Sequence, residues 1–302
     1  MRSYHKGLQD FLKKTNIEYR YDVNFSEISY LRLGGIASAV LYPQNEDEFV
    51  SALRYCISNG IRHKTVGKMT NLLPPPKFYD GILIKTDRLS KIKFDGERVS
   101  VLCGRSLPSL ASELCRRSLS GFEELSGIPG SVGGAVYMNA GAYGREISEL
   151  LISISAYDET CDSIVTLHKD ELDFSYRSSC LLERRLSLVS AELACREDDV
   201  ETIRRRTRSF AKKRRDTQPV SEPSLGSVFK KRDGVSAAYL IEKAGLKGLS
   251  VGGASVSEKH SGFIVNRGNA SAGDYAELVC LVKKRVFEFC GVALEEEIEY
   301  FD

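Results

Sequence analysis

GIPGSVGGAVYMNAGAYG, residues 127–144, contains six glycines and no charged side chain. A core strand would not use so many glycines, because glycine loses more backbone freedom on folding than any other residue. A flexible linker would not contain Ile128, Val132 and Met138. The stretch therefore predicts an ordered segment whose backbone is closely approached by another group.

The glycine spacing leaves the identity of that group open. It matches neither GxGxxG nor GxxxxGK[ST], and no strand-turn-helix pattern frames it as a dinucleotide-binding fold requires. Successive backbone amides in glycine-rich turns nevertheless bind anions such as phosphate. Two interpretations follow, a phosphate cradle and a structural tight turn.

Length and composition limit the class of protein. The chain has 302 residues, of which 42% are hydrophobic and 28% charged. A chain of this length is longer than one hydrophobic core usually accommodates, so two or three subdomains are predicted. The net charge of +2 predicts no particular partner. The apolar runs are shorter than the roughly 20 residues that span a bilayer, and the N-terminus lacks the apolar region of a secretory signal. We therefore expect a cytoplasmic protein.

Cysteine and histidine usage argues against disulfides and metal sites. The eight cysteines form no CxxC pair, and most have apolar neighbours. We expect them to be reduced core residues rather than disulfide partners. The four histidines are scattered without an HExxH motif, so no metal site is expected.

Local patterns predict a mixture of helices and strands. Residues 46–58, 107–118 and 272–291 have the apolar spacing of helices, and each follows a residue suited to cap one, namely Asn45, Ser106 and Ser271. Residues 152–193 predict mostly strands, and LEEEIEYF (294–301) alternates like a strand. The order of elements predicts an α+β or α/β fold, with a domain boundary near residues 205–218.

Four further segments follow a fixed order along the chain. They are LRLGG (31–35), YRSS (176–179), PSLGSVFK (223–230) and LIEKAGLKGLSVGGASVSEKHSGFIVN (240–266). A carboxylate-rich ending, Leu294–Ile298, comes after them. Together with residues 127–144, these segments resemble the signatures of the UDP-N-acetylenolpyruvoylglucosamine reductase (UDP-N-acetylmuramate dehydrogenase) family, in its shorter type.

The resemblance implies a fold and a domain organisation. It implies an α+β (α/β) protein with an FAD-binding domain of the vanillyl-alcohol-oxidase type in two subdomains, followed by an α+β substrate domain. The expected boundaries are 1–63 for the first FAD subdomain, completed by a C-terminal strand at 294–302. Residues 64–205 form the second FAD subdomain, and residues 206–293 form the substrate-binding domain.

The resemblance also implies an activity. It implies an enzyme that contains FAD and uses NADPH to reduce the enolpyruvyl ether of a UDP-sugar to a lactyl ether. The product, UDP-N-acetylmuramate, is a cytoplasmic precursor of peptidoglycan. The expected partner is the UDP-sugar alone, without nucleic acid or membrane, and the expected state is a monomer. FAD would then be the group that lies against the glycine-rich backbone.

The chemistry requires three protein roles. Reduction of this double bond adds a hydride at one carbon and a proton at its neighbour, and it leaves negative charge on the enolate carboxylate. By resemblance, Ser227 is the proton donor and Arg177 is the guanidinium that faces the carboxylate. Glu297 is the final catalytic glutamate. Glu295 would share a strand face with Glu297, so the assignment is open between them.

Two further sets of residues follow from the same motifs. The residues expected to bind FAD are Gly34, Gly67, Thr70, Asn71, Gly127, Ile128, Pro129, Gly130, Ser131, Gly133, Gly134, Asn139, Gly141 and Ala142. The residues expected to bind the substrate are Tyr176, Arg215, Lys230 and Lys231.

The chain departs from the family pattern at four positions. Met69 stands where a glycine is usual, and Thr217 stands where a lysine is usual. Lys231 and Gly262 each replace an asparagine. None of these positions is catalytic, so the departures predict altered cofactor or substrate contacts in a working enzyme.

Two other functions are considered. A flavin oxidase or dehydrogenase would use the same fold, but hydride abstraction needs a base rather than the proton donor that Ser227 resembles. A nucleic-acid-binding protein would use the basic residues between 204 and 215. The near-zero net charge of the chain argues against that function.

Overall fold

The computed structural model describes residues 5–232 and 234–301. The chain divides into two compact units. Unit 1 consists of the residues up to Tyr21 together with Ser38–Lys68 and Asp80–Ala211. Unit 2 consists of Asp22–Ala37, Met69–Tyr79 and the residues from Lys212 onward. Each unit has its own cluster of buried hydrophobic side chains, so each has a core of its own.

The helices are distributed along the whole chain. They are His5–Thr15 (α1), Phe25–Ile28 (α2), Glu46–Ser58 (α3), Leu107–Arg116 (α4), Val132–Tyr137 (α5), Val200–Thr217 (α6), Ala237–Lys243 (α7) and Ala272–Cys290 (α8). No helix among the described residues combines the length and the apolar character needed to cross a membrane.

Side-chain caps explain where three of these helices begin. The side chain of Asn45 accepts from the Glu48 amide, and that of Ser106 accepts from the Ser109 amide. Ser271 and Asp274 form a reciprocal capping box at the start of α8. Such caps satisfy amides that have no partner within the helix. The three helices predicted from these capping patterns are confirmed.

The strands are mostly short. They are Glu18–Asn24 (β1), Ile36–Tyr42 (β2), His63–Val66 (β3), Leu72–Leu73 (β4), Tyr79–Lys85 (β5), Ile92–Asp95 (β6), Arg98–Leu102 (β7), Leu119–Ser120 (β8), Gly141–Ala142 (β9), Arg145–Glu146 (β10), Leu151–Asp158 (β11), Ser163–His168 (β12), Leu186–Ala194 (β13), Arg196–Glu197 (β14), Ser224–Ser227 (β15), Ser250–Val251 (β16), Ala254–Val256 (β17), Phe263–Asn266 (β18) and Glu299–Tyr300 (β19).

Two of the three larger sheets lie mostly in unit 1. One has the order β1-β2-β5-β3, with β3 and β5 parallel. The other has the order β12-β11-β13-β7-β6 and is antiparallel throughout. Helix α5, which belongs to the glycine-rich stretch, packs against β7 and β13 of this second sheet. The sheet therefore fixes the position of the glycine-rich backbone.

Unit 2 contains an antiparallel sheet with the order β15-β18-β17-β16. Helix α8 packs against β16 and β17 through a buried face. That face consists of Ala272, Tyr275, Leu278, Val279, Val282 and Val286. The sheet and helix together support β15, the strand that ends at Ser227.

The structure confirms the α+β prediction and corrects two details. A six-residue helix, α5, does lie within the glycine-rich stretch, although the sequence indicated no helix there. The C-terminal residues 294–301 do not form one continuous strand. Only Glu299–Tyr300 is a strand, and it pairs in parallel with Leu72–Leu73.

The prediction that the cysteines are core residues is right for three of the eight. All eight cysteines are free thiols, but only Cys56, Cys103 and Cys195 are buried core residues. Burial raises the pKa of Cys103 to about 12, so this thiol stays protonated at neutral pH. Within the described part of the chain, no group of three or more His, Cys, Asp or Glu side chains is placed to hold a metal ion.

Candidate active site

The glycine-rich stretch is held to unit 1 by backbone hydrogen bonds. The amide of Val132 donates to the Arg105 carbonyl at 2.8 Å, and the amide of Gly133 donates to the Cys103 carbonyl at 2.7 Å. The Ser131 hydroxyl accepts from the amide of Gly134 at 3.3 Å and caps α5. These bonds give the stretch one defined conformation before any ligand binds.

Neighbouring protein atoms explain some of the glycines but not all of them. A Cβ at Gly133 would lie 3.0 Å from the Cys103 Cβ, and a Cβ at Gly67 would lie 2.5 Å from the Ser131 hydroxyl oxygen. Gly134 is different, because it is exposed and its nearest neighbour would be the Ser131 oxygen at 3.5 Å. Protein packing does not require a glycine at position 134. The open surface there fits the close approach of an extended ligand such as FAD.

Lys85 is a buried lysine that the sequence motifs did not predict as a site residue, and it holds the backbone at Gly67. Lys85 is 5% exposed, and its ammonium donates to the Gly67 carbonyl at 2.9 Å. It also pairs with Asp87 at 2.7 Å. Burial lowers the pKa of Lys85, and the charge of Asp87 opposes that effect. A lysine within the apolar strand sequence YDGILIK was the sequence signal for such a role.

Arg177 lies at the end of a two-residue turn in unit 1. Ser175 and Ser178 exchange backbone hydrogen bonds of 3.1 Å on either side of Tyr176 and Arg177. The φ of Arg177 is +56°, a left-handed conformation that costs a non-glycine residue about 1–2 kcal/mol. Its guanidinium lies 4.9 Å from the centre of the Tyr176 ring and donates to the Gly141 carbonyl at 3.2 Å. The Arg177 guanidinium therefore contacts two other predicted site residues, Tyr176 and Gly141.

Ser227 ends strand β15 in unit 2. The preceding residue, Gly226, has a φ of +77°, and the strand register is irregular at this point. The hydroxyl of Ser227 is half-buried and donates to the Phe229 carbonyl at 3.3 Å. This distance is longer than the usual 2.7–2.8 Å for a hydroxyl donor, so the bond is weak. Rotation of the side chain can therefore redirect the hydroxyl at low cost.

Glu297 is held beside Ser227 by its backbone. Its amide donates to the Val228 carbonyl at 2.8 Å. On its other side, the Asn71 side chain donates to the Glu297 carbonyl at 2.9 Å. Unit 2 therefore brings together two of the three predicted catalytic residues, Ser227 and Glu297, while Arg177 belongs to unit 1.

The neighbouring glutamates have other partners. Glu295 is exposed and pairs with Lys230 at 2.6 Å. Glu296 pairs with Lys283 at 2.5 Å and accepts from the Tyr300 hydroxyl at 2.5 Å. Burial and the Glu296 carboxylate together raise the pKa of Tyr300. Glu295 and Glu296 are therefore each held by an ion pair, and the catalytic role of Glu297 stays a prediction.

The remaining predicted residues have mixed surroundings. Gly34 belongs to unit 2, where its φ is +118° and a Cβ would lie 2.6 Å from the Pro74 Cβ. A glycine is required there by the protein itself. Thr70 is half-buried in the same unit, and Lys231 is exposed. Arg215 is exposed, and its carbonyl accepts from the Lys259 ammonium.

The basic helix α6 is partly neutralised by acidic side chains. Its ion pairs join Arg204 to Glu201, Arg206 to both Glu123 and Asp198, and Lys212 to Asp216. A cation that already has a carboxylate partner contributes less to binding a polyanion. These pairs reduce the case for a nucleic-acid-binding surface on this helix.

The structure shows the surroundings of three of the four residues that depart from the family pattern. Met69 adopts a φ of +53°, the conformation that a glycine would take more easily. The Thr217 hydroxyl donates to the Lys213 carbonyl at 2.8 Å. A Cβ at Gly262 would lie 3.1 Å from the His260 ring and 3.2 Å from the Ala238 Cβ. A larger residue at position 262 would have to displace these neighbours.

Comparison with known proteins covers both units. Residues 37–162 match the family model described as FAD binding domain. Residues 218–301 match that of the UDP-N-acetylenolpyruvoylglucosamine reductase C-terminal domain. The reductase of that name from Caldicellulosiruptor bescii is 39% identical over 96% of this chain and 93% of its own length. The one from Clostridium perfringens is 36% identical over 98% of this chain and 96% of its own length.

A solved structure agrees with these relationships. The crystal structure of UDP-N-acetylenolpyruvylglucosamine reductase from Thermus caldophilus superposes with a TM-score of 0.80 at 32% identity. It covers 95% of this chain and 99% of the Thermus chain. The predicted fold class, α+β with an FAD-binding domain, is confirmed by these matches. The chain belongs to the UDP-N-acetylenolpyruvoylglucosamine reductase family.

Proposed function

We propose that this protein reduces the enolpyruvyl group of UDP-N-acetylglucosamine enolpyruvate to give UDP-N-acetylmuramate, with FAD as bound cofactor and NADPH as reductant. The product would enter peptidoglycan synthesis. The geometric observation that supports this activity best is the hydrogen bond from the Glu297 amide to the Val228 carbonyl at 2.8 Å. This bond joins the backbone of Glu297 to the residue that follows Ser227, the expected proton donor, and it supports a shared site.

Unit 1 offers the surface expected for FAD. The residues proposed to hold the cofactor there are Gly67, Gly127, Ile128, Pro129, Gly130, Ser131, Gly133, Gly134, Gly141 and Ala142. Exposed Gly134, where a side chain would meet no close protein neighbour, is the observation that fits a ligand best. When bound, FAD supplies the hydride equivalent that it has received from NADPH.

The side chains of the protein supply the remaining steps. Ser227 would donate its hydroxyl proton to the carbon next to the one that receives hydride. Its long hydrogen bond to the Phe229 carbonyl, 3.3 Å, leaves it able to turn toward the substrate. Glu297 and the Arg177 guanidinium would each stabilise the negative charge that develops on the enolate carboxylate. A glutamate does so when it is protonated or paired with a cation.

Substrate contacts and cellular setting are part of the same proposal. We assign Tyr176, Arg215 and Lys231 to the UDP-sugar. Lys230 is assigned with them, although its ammonium pairs with Glu295 at 2.6 Å in this structure. Residues 206–293 would form the substrate-binding domain, and residues 1–205 with 294–302 would form the FAD-binding domain. The protein would work as a cytoplasmic monomer without a nucleic-acid partner.

Absorbance spectroscopy tests the proposal. Freshly purified protein should show a flavin spectrum that bleaches with anaerobic NADPH and recovers when the enolpyruvyl UDP-sugar is added. A flavin that bleaches but does not recover would refute the substrate and point to another flavin-dependent oxidoreductase. Colourless protein that cannot be reconstituted with FAD would refute the cofactor as well.

A further inference from the structure

Asn139 lies in the second half of the glycine-rich stretch, and its side-chain amide makes hydrogen bonds to other residues of unit 1. It is 1% exposed and has a φ of +48°. Its amide nitrogen donates to the Glu146 carboxylate at 2.8 Å and to the Ser175 carbonyl at 2.9 Å. Its amide oxygen accepts from the Ser148 backbone at 3.3 Å. An asparagine amide has two N–H donors and one oxygen, so both donors are engaged and the oxygen is already an acceptor.

One of these partners, Ser175, begins the turn that carries Arg177. A second bond closes the other end of the turn, because the Ser179 hydroxyl donates to the Tyr137 carbonyl at 2.6 Å. A third bond joins the Arg177 guanidinium to the Gly141 carbonyl at 3.2 Å. Residues 137–141 and 175–179 are therefore joined by three hydrogen bonds.

The turn needs such support because its conformation is unfavourable for an arginine. The φ of +56° at Arg177 persists only where surrounding structure enforces it. Relaxation of the turn would move the guanidinium, and a displacement of about 1 Å costs a reaction on the order of 10²-fold in rate.

We propose that Asn139 is a positioning residue for Arg177. Residues 137–141 of the glycine-rich stretch hold the turn at 175–178, and thereby the Arg177 guanidinium, in place. This inference rests on the proposed function for the role of Arg177 in facing the substrate carboxylate. It replaces the expectation that the Asn139 side chain binds FAD.

The test compares Asn139→Ala with the wild-type holoenzyme and with Asn59→Ala. Asn59 is a matched control in the same unit, since its side chain bonds to its own helix at the Tyr55 carbonyl. Three quantities are measured: FAD affinity of the apoprotein by flavin fluorescence, flavin reduction by NADPH, and flavin reoxidation by the enolpyruvyl UDP-sugar. Hydrogen exchange at the Ser178 amide reports on the turn without any turnover.

The expected result is selective. FAD affinity and reduction by NADPH stay at wild-type values, reoxidation slows by about 10²-fold, and Ser178 exchanges faster. In the Arg177→Ala variant, adding Asn139→Ala should not slow reoxidation further. Both changes act through the position of the same guanidinium, so their effects do not add. Asn59→Ala should match wild type in every measurement.

Other outcomes would overturn the inference. FAD affinity that is about tenfold weaker, with normal reoxidation, would make Asn139 a cofactor ligand after all. Equal slowing of both half-reactions with a lower melting temperature would mean a merely structural role. If Asn139→Ala does not fold, Ser179→Ala removes the other anchor of the turn and should give the same selective pattern. Failure of the wild-type protein to turn over the UDP-sugar would refute the proposed function. FAD affinity and hydrogen exchange at the Ser178 amide would still test whether Asn139 holds the turn at 175–178.

Discussion

The backbone amide of Glu297 donates a hydrogen bond to the carbonyl of Val228 at 2.8 Å. Because Ser227 directly precedes Val228, this bond sets the glutamate next to the predicted proton donor within unit 2. The Asn71 side chain holds the Glu297 carbonyl from the other direction at 2.9 Å. The register of the C-terminal residues is thereby fixed at the position where the chain has three consecutive glutamates.

Ser227→Ala should separate the two half-reactions. Removing the proton donor should leave flavin reduction by NADPH at the wild-type rate and slow reoxidation by the substrate about 10²–10⁴-fold. Anaerobic stopped-flow absorbance measures both rates. Ser250→Ala, an exposed serine of unit 2 that bonds to the Gly248 carbonyl, is the control and should behave as wild type. Normal reoxidation in Ser227→Ala would show that the proton comes from another group.

Glu297→Gln and Glu295→Gln should differ sharply. Glu297→Gln should slow substrate reduction by about 10²-fold or more, since it removes the carboxyl group proposed to stabilise the enolate. Glu295→Gln loses only an exposed ion pair with Lys230 and should stay close to wild type. Steady-state turnover of the two variants decides the assignment. The reverse order of activities would transfer the catalytic role to Glu295.

His63 should make stability depend on pH. Burial alone would lower its pKa, but the interaction of the ring with the Glu159 carboxylate and its hydrogen bond to the Ile61 carbonyl together outweigh burial, so the pKa is raised. The folded state then binds the proton more tightly than the unfolded chain, whose histidine pKa is about 6.5. This stabilisation is complete below that value and is lost as the pH rises through the higher pKa of the folded state.

Glu159→Gln should abolish or reverse that pH dependence, because burial, the largest effect on the His63 pKa, then outweighs the remaining hydrogen bond to the Ile61 carbonyl. Urea unfolding at several pH values around neutrality, for wild type and variant, measures the effect. Glu113→Gln is the control, because Glu113 pairs with Arg116 and Arg117 rather than with a histidine. If wild type and Glu159→Gln show the same change in unfolding free energy over this range, the His63 pair does not contribute to it.

Tyr275→Phe should leave the free energy of unfolding unchanged or raise it. Tyr275 is fully buried in unit 2, and its hydroxyl has no hydrogen-bond partner among the described residues. An unpaired buried polar group costs about 1–3 kcal/mol, which phenylalanine avoids. Tyr157→Phe is the contrasting variant, because it loses a 2.6 Å bond to Asp162 and should destabilise by about 1 kcal/mol. Marked destabilisation by Tyr275→Phe would mean that the hydroxyl has a favourable interaction.

Helix boundaries were the most predictable part of the fold. The helix caps are Asn45, Ser106 and Ser271, and each accepts a hydrogen bond from the amide three positions later. The sequence pattern that predicts these helix starts is therefore entirely local. Helix α5 was missed because it has six residues and two glycines, and its stability comes from packing on β7 and β13. The parallel pairing of β19 with β4 was also unpredictable, since two-residue strands have no periodicity to recognise.

The site was predictable to the extent that its motifs are local. GSVFK, YRSS and the glycine-rich stretch each mark a segment to which the family resemblance assigns a role. Lys85 was missed because a single lysine in an apolar strand does not reveal which carbonyl it will meet. The resemblance assigns Asn139 to FAD from its motif alone, and only the fold shows that its amide donates to Ser175 and Glu146.

The sequence by itself determined the family, the α+β class and the main helices. These conclusions depend on residue type and on spacing within short segments. Tertiary structure alone decided which glutamate lies beside Ser227, what supports the Arg177 turn and why some glycines are required by packing while Gly134 is not. The physical reason is that these features rest on contacts between distant segments, such as the bond between Asn71 and Glu297, which are 226 positions apart. No local pattern specifies such a partner, because the partner is set by how sheets and helices pack around each core.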